Sequence, residues 1–196
     1  MTTDSEKILV MGVGNPLMRD DGIGPRVIEM LRAGYTFPDN VEVVDAGTMS
    51  FMILDLLRGV DRLIIIDAVR DTGEAPGTVL RMTPEEIAPN QVAHSLHDVR
   101  LVDVLQAADL MGSTPMTIAF GVQIDTIEEW VLELSDPVEA AVPIAAGAVL
   151  EELQSMGIEP LACDDDDVAA QIIGALRSYA AMPSESPGES DTSQDR

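Results

Sequence analysis

Short runs of apolar residues alternate along this chain with segments in which apolar residues recur at helical spacing. The runs predict buried strands, and they cover residues 7–12, 41–45, 63–66 and 116–124. Helical spacing is found in residues 22–34, from Gly47 to Val60, after His97 and from Asp136 to Met156, and an edge strand is predicted over residues 78–82. Strands that alternate with helices predict an α/β fold with three layers, in which a mostly parallel, twisted sheet is flanked by helices on both faces.

The character of the sequence changes after Gly157. We expect residues 1–157 to form the α/β domain, residues 158–182 to form an acidic linker with a C-terminal helix, and residues 183–196 to be a disordered tail. The acidic run Asp164–Asp167 precedes the predicted helix, where negative charge is favourable. We interpret this run as solvated charge rather than as a metal site.

The composition excludes several classes of function. The chain has 196 residues and a net charge of −24, with 35 acidic residues against 11 Lys and Arg. Such an acidic protein would repel phosphates, so we expect no nucleic-acid partner. We predict no membrane span, because no apolar run reaches about 18 residues. The lone Cys163 and the absence of an N-terminal signal pattern predict a cytoplasmic protein, and we expect a monomer that forms transient complexes.

A glycine-rich loop, Gly12–Gly24, connects the first predicted strand to the first predicted helix. Its glycines allow sharp turns and leave room for a ligand. The loop also carries two adjacent carboxylates, Asp20 and Asp21, to the start of the helix. Carboxylates in this position are typical of a metal site or of acid–base chemistry. The structural alternative is that they cap the helix and favour its positive end.

Nucleotide binding is a second interpretation of the same loop. Gly12 and Gly14 begin a dinucleotide fingerprint, but Leu17 stands where the third glycine is required. The two aspartates would also repel phosphate oxygens. We therefore rank nucleotide binding below a carboxylate metal site and predict no bound nucleotide.

Three further polar residues are expected at the same edge of the sheet. Asp67 follows an apolar strand, and the chain's two histidines, His94 and His97, precede a predicted helix. Ligands of such sheets bind at the carboxyl ends of the strands, and a mixed set of carboxylate and imidazole suits several divalent metals, zinc and nickel included. Capping of the next turn by Asp67, and local hydrogen bonding by the histidines, remain the structural alternatives.

The ordered set of motifs resembles the hydrogenase maturation endopeptidases, which process the large subunit of nickel–iron hydrogenases. The resemblance covers about residues 6–157. It is carried by Gly12-Val13-Gly14-Asn15-Pro16-Leu17, Asp20-Asp21-Gly22-Ile23-Gly24, Asp45-Ala46-Gly47-Thr48, Leu63-Ile64-Ile65-Ile66-Asp67-Ala68, His97 with Leu101 and Asp103-Val104-Leu105, Gly121-Val122-Gln123 and Leu134-Ser135-Asp136-Pro137.

The resemblance implies a metal-binding site of two carboxylates and one histidine. Carried over by motif, these residues are Asp21, Asp67 and His97. Asp21 fills a position that is often glutamate in the family, and the family's histidine aligns with His97 rather than with His94. Asp20 is then expected to support the turn or to cap the helix.

The resemblance further implies that the protein removes a C-terminal extension from the precursor of the large subunit after nickel has been inserted. The nickel would be supplied by this substrate and recognised by Asp21, Asp67 and His97. Whether the peptidase is of the aspartic or the metallo type stays open. The alternative is a non-catalytic module that senses metal or acts as a scaffold during hydrogenase assembly.

Overall fold

The structure, a computed structural model, describes residues 5–48, 53–91, 101–163 and 166–180. The strands are β1 (Ile8–Val13), β2 (Tyr35–Thr36), β3 (Val41–Gly47), β4 (Arg62–Val69), β5 (Val79–Met82), β6 (Met116–Gln123) and β7 (Leu161–Ala162). The helices are α1 (Ile23–Gly34), α2 (Ile53–Leu56), α3 (Pro84–Ile87), α4 (Leu101–Leu110), α5 (Asp136–Ser155) and α6 (Asp166–Ala180). Short 3₁₀-helical turns occupy Arg19–Gly22 and Ala88–Asn90.

The central sheet has the strand order β3-β1-β4-β6-β5. The first four of these strands run parallel, and β5 pairs antiparallel with β6. The prediction of a mostly parallel sheet is confirmed, as is the edge position of residues 78–82. The order places β1 and β4 side by side at the centre, so the chain segments that follow them are neighbours.

Side chains of the central strands alternate between two cores. In β1, Ile8 and Val10 join one core, whereas Leu9 and Met11 join the other. The first core is covered by α1, α5 and α6, and the second by α2, α3 and α4. This alternation follows from the period of two residues in a strand. It confirms the predicted fold with three layers.

Strand β4 extends beyond the apolar run that predicted it. β4 continues through Val69, so Asp67 lies inside the strand and not after it. The cause is the neighbouring strand β6, which pairs with β4 as far as Val69 opposite Gln123. Gly121 lies inside β6, within the predicted strand 116–124, and pairs with Asp67. Backbone pairing thus continues past Asp67, the polar residue at which the hydropathy pattern predicts the end of the strand.

The C-terminal part of the described chain packs onto α1. Strand β7 pairs antiparallel with β2, a pair that the sequence did not predict because strands this short show no periodicity. Helix α6 lies where a helix was expected, and its Ile172 is fully buried. The division of the chain at residue 157 stays a prediction, and the tail 183–196 lies outside the described residues. Among the described residues, no helix is long and apolar enough to cross a membrane.

Candidate active site

Glycines hold the loop between β1 and α1 tightly against the end of the sheet. Gly14 has φ +136°, and a Cβ there would collide with the backbone carbonyl oxygen of Asp21. A Cβ on Gly24 would collide with the backbone of Val13 and lie 2.8 Å from the carbonyl oxygen of Ile66. These close approaches require glycine. They fix the first turn of α1 over the ends of both β1 and β4.

Asp21 is buried in this loop, with 3% of its surface exposed. It belongs to the 3₁₀-helical turn that precedes α1, and its Oδ2 accepts a hydrogen bond of 2.6 Å from the backbone N–H of Asn15. The N-cap of α1 is Gly22, so neither aspartate of the loop occupies the capping position. The turn therefore holds the Asp21 carboxylate at the end of the sheet.

Asp20, its neighbour, has a different environment. It is fully buried, and its two oxygens accept hydrogen bonds from Ser135, from the backbone N–H at 2.7 Å and from the hydroxyl at 2.9 Å. Ser135 is the N-cap residue of α5. Asp20 thus ties the loop to a distant helix, which agrees with the supporting role expected for it.

Asp67 lies in β4, one residue beyond Ile66, which pairs with Gly12 of β1. Its side chain is buried, with 5% of its surface exposed. Oδ1 accepts a hydrogen bond of 2.8 Å from the backbone N–H of Ala68, and Oδ2 accepts one of 2.7 Å from Nε2 of Gln91. The backbone of Gln91 is itself held by a bridge to Val69. Both the position and the orientation of the carboxylate are therefore set by neighbouring groups.

The structure brings Asp21 and Asp67 to the same edge of the sheet: Asp21 lies in the turn that follows β1, and Asp67 lies in the adjacent strand β4. The contact of Gly24 with the backbone at the ends of both strands establishes this proximity. His94 and His97 lie outside the described residues, so the predicted role of His97 stays a prediction. Within the part of the chain that the structure describes, no group of three His, Cys, Asp or Glu residues could hold a metal ion.

A segment after β6, residues 128–135, buttresses the loop, and the sequence did not reveal it. The backbone N–H of Arg19 donates to Val131 O at 2.8 Å, and that of Trp130 donates to Leu17 O at 2.7 Å. Arg19 also forms an ion pair of 2.8 Å with Glu128. Partners so distant in the sequence leave no local pattern.

A groove of about 830 Å³ runs along one side of the loop. Pro16 and Gly22 of the loop line it, together with residues of α1, β3 and α5. Its charged lining residues are Arg26, Glu29, Arg32, Asp45, Glu133, Asp136 and Glu139. The hydrogen bond with Glu29 raises the pKa of Arg26, which is also paired with Glu139 at 3.7 Å. Arg32 donates two hydrogen bonds to Val43 O. The groove is therefore acidic on balance.

Comparison with known proteins gives a consistent result. The family model described as hydrogenase maturation protease matches residues 25–152. The HupD hydrogenase expression/formation protein of Rhizobium leguminosarum bv. viciae is 36% identical over 155 residues, which are 78% of this chain and 76% of HupD. The hydrogenase 2 maturation protease of Escherichia coli K12 is also 36% identical, over 159 residues that are 79% of this chain and 95% of that protease.

Solved structures agree with these relatives. The hydrogenase maturating endopeptidase HybD from E. coli superposes with a TM-score of 0.73 at 35% identity, covering 81% of this chain and 99% of HybD. The HybD protease of Thermococcus kodakarensis superposes with a TM-score of 0.59 at 28% identity, covering 75% of this chain and 98% of that protein. The family-model match includes Asp67 and begins just after Asp21.

Proposed function

We propose, because this chain belongs to the hydrogenase maturation protease family, that it removes the C-terminal extension of a nickel–iron hydrogenase large-subunit precursor after nickel insertion. The observation that carries the proposal is the position of two buried carboxylates at the carboxyl end of the sheet: Asp21 in the turn that follows β1, and Asp67 in the adjacent strand β4. Ligands of parallel sheets bind at this edge. The proposed endopeptidase would thus bind its substrate at the edge of the sheet where Asp21 and Asp67 lie.

In the proposed reaction the nickel arrives as part of the substrate. Asp21 and Asp67 supply oxygen ligands to it, and His97 supplies a nitrogen ligand, a donor set that suits nickel. Recognition of the metal makes cleavage depend on nickel insertion. The protein then needs no metal of its own, and we expect the isolated chain to retain no stoichiometric metal after dialysis.

The chemistry is hydrolysis of one peptide bond. The oxygen of a water molecule bonds to the scissile carbonyl carbon, the C–N bond breaks, and a proton passes to the leaving amine. A metal can polarise the carbonyl or activate the water, and a carboxylate at hydrogen-bond distance can accept the proton of the water. We propose that Asp21 and Asp67 hold this metal or accept the proton of the water. Both lie at this edge of the sheet, and hydrogen bonds fix their orientation.

The test compares nickel-loaded with nickel-free precursor, with mass spectrometry as the readout. The wild-type protein is expected to shorten only the loaded precursor. Asp21→Asn, Asp67→Asn and His97→Ala are each expected to lower the cleavage rate at least about a hundredfold. Asp55→Asn is the matched control, since Asp55 is exposed and its ion pair with Arg58 lies on the surface of α2.

Two outcomes would contradict the proposal. Equal cleavage of loaded and nickel-free precursor would eliminate metal recognition. A stable complex with the loaded precursor that never shortens it would favour the alternative, a metal-sensing or scaffolding module.

We place the reaction in the cytoplasm, because the lone Cys163 has no partner for an internal disulfide, and we expect a monomeric protease that binds its precursor transiently.

A further inference from the structure

Three large apolar side chains are exposed beside the loop that carries Asp21. Leu17 is 42% exposed, Trp130 80% and Leu132 65%. Leu17 belongs to the loop itself, and the other two belong to the segment that buttresses it. We call these three residues the apolar rim. Trp130 is the single tryptophan of the chain. Tryptophan is enriched among the residues that contribute most to protein–protein binding, and exposed apolar patches mark such interaction sites.

The backbone holds the apolar rim in place. Trp130 has φ +66° and Arg19 has φ +53°, conformations that bulky residues adopt at a cost in energy. Hydrogen bonds between residues 17–19 and 130–131 maintain these conformations. Met18 and Val131 form a parallel β-bridge there. The rim is therefore displayed in a fixed geometry, which lowers the entropic cost of binding.

The apolar rim is continuous with the acidic groove. Leu132 belongs to the rim and also lines the groove, beside Glu133. The groove in turn is lined by Pro16 and Gly22, which lie on either side of Asp21 in the loop. An extended segment bound along the groove and the rim would thus run beside the loop that carries Asp21. Its side chains would meet apolar surface at one end and negative charge at the other.

We propose that the apolar rim and the groove bind the C-terminal extension of the precursor, through apolar and basic side chains of that extension. This inference rests on the proposed function, and it adds where the extension binds and what chemistry selects it. The chain's own tail, residues 183–196, does not suit the groove, because it carries four acidic residues and one basic residue. A second copy of this chain, with its charge of −24, is disfavoured for the same reason.

The emission of Trp130 provides a direct binding assay. One probe is a synthetic peptide with alternating Lys and Leu, and the second has Glu in place of every Lys. The Lys peptide is expected to shift the emission to the blue until the protein is saturated. Its dissociation constant should be at least about tenfold lower than that of the Glu peptide. Its affinity should fall severalfold between about 0.05 M and about 0.5 M salt. Equal binding of the two peptides, or no response to either, would overturn the inference.

Substitutions at the rim test whether the same surface is used in cleavage. Trp130→Ala with Leu132→Ser, and separately Glu133→Lys, are each expected to raise the KM for nickel-loaded precursor about tenfold and to leave kcat within about twofold. The control for the rim is Leu110→Ser, and the control for the charge is Glu159→Lys, because both residues are exposed and neither lines the groove. All of these positions are exposed, so the fold should survive. An unchanged KM in the rim variants would refute the binding surface.

These assays separate the two proposals. If the wild-type protein cleaves loaded precursor but the rim variants keep its KM, the inference fails and the proposed function stands. If the Lys peptide binds but no precursor is ever cleaved, the proposed function fails and the surface remains. If dilution of the protein alone shifts the Trp130 emission and the oligomeric state together, a second copy covers the rim, and the inference is wrong.

Discussion

Asp20 and Asp21 are adjacent and both buried, yet the structure gives them different tasks. Asp20 directs both oxygens to Ser135, whereas Asp21 lies in the turn at the end of the sheet beside Asn15. We expect Asp20→Asn to lower the free energy of unfolding by about 1–3 kcal/mol, because an amide nitrogen cannot accept a hydrogen bond from Ser135. Urea unfolding at neutral pH measures this, with Asp55→Asn as the surface control. Unchanged stability would show that the link between loop and α5 contributes nothing.

Gln91 is the residue that holds the second carboxylate. Its Nε2 donates to Oδ2 of Asp67 at 2.7 Å, and its backbone bridges to Val69. We expect Gln91→Ala to lower kcat for loaded precursor about tenfold with little change in KM, since the carboxylate loses orientation but the binding surface does not change. Gln154→Ala, on the exposed side of α5, is the control. A higher KM at constant kcat would assign Gln91 to substrate binding instead.

At this scale the sequence revealed the carboxylates but not their partners. Asp67 was found because it follows an apolar run, and Asp21 because it stands in a glycine-rich loop before a helix. Gln91 had no such signal, and Ser135 stood out only as part of a family motif, with no indication that it binds Asp20. The hydrogen bonds that recruit them join residues 24 and 115 positions apart in the sequence, and no local pattern encodes contacts at that distance.

The element that positions the site is the first turn of α1. Gly24 lies against the backbone of Val13 and Ile66, so a side chain there would push α1 away from β1 and β4. We expect Gly24→Ala to lower the free energy of unfolding by about 3 kcal/mol or more, as overpacking against backbone does. Differential scanning calorimetry would show this as a lower Tm.

The same substitution elsewhere provides the control. Gly174 lies inside α6, and a Cβ there has open space. Alanine is a better helix former than glycine by about 1 kcal/mol, so Gly174→Ala is expected to raise the Tm slightly. A Gly24→Ala protein as stable as the wild type would mean that α1 can shift without cost, and that close packing of Gly24 does not fix the position of the loop.

The locations of the central strands along the chain were the most predictable part of the fold. The apolar runs located the central strands, since those strands are buried on both faces. Their ends were less predictable: β4 continues past Asp67 because β6 supplies backbone partners as far as Gln123. The pair β2 and β7 was missed, because strands of two residues show no periodicity.

At the scale of the whole molecule, the candidate site and the C-terminal helix are separate. Helix α6 packs against α1 near Gly34, where a Cβ would lie 2.9 Å from Cγ1 of Val168. Gly34 is the last residue of α1, at the opposite end of that helix from Asp21. Because α6 packs at the end of α1 that is far from Asp21, we expect it to stabilise the domain and to take no part in cleavage.

This separation predicts a variant that loses stability but keeps its activity. Ile172 of α6 is fully buried in the core shared with α1 and α5. Replacing it with alanine leaves a cavity and should cost about 2–4 kcal/mol of unfolding free energy. At a temperature where the variant remains folded, kcat and KM for loaded precursor should stay within about twofold of the wild type. Ile173→Ala, at the exposed neighbouring position, should change neither the free energy of unfolding nor the kinetic constants. Loss of cleavage in folded Ile172→Ala protein would show that α6 is coupled to the site.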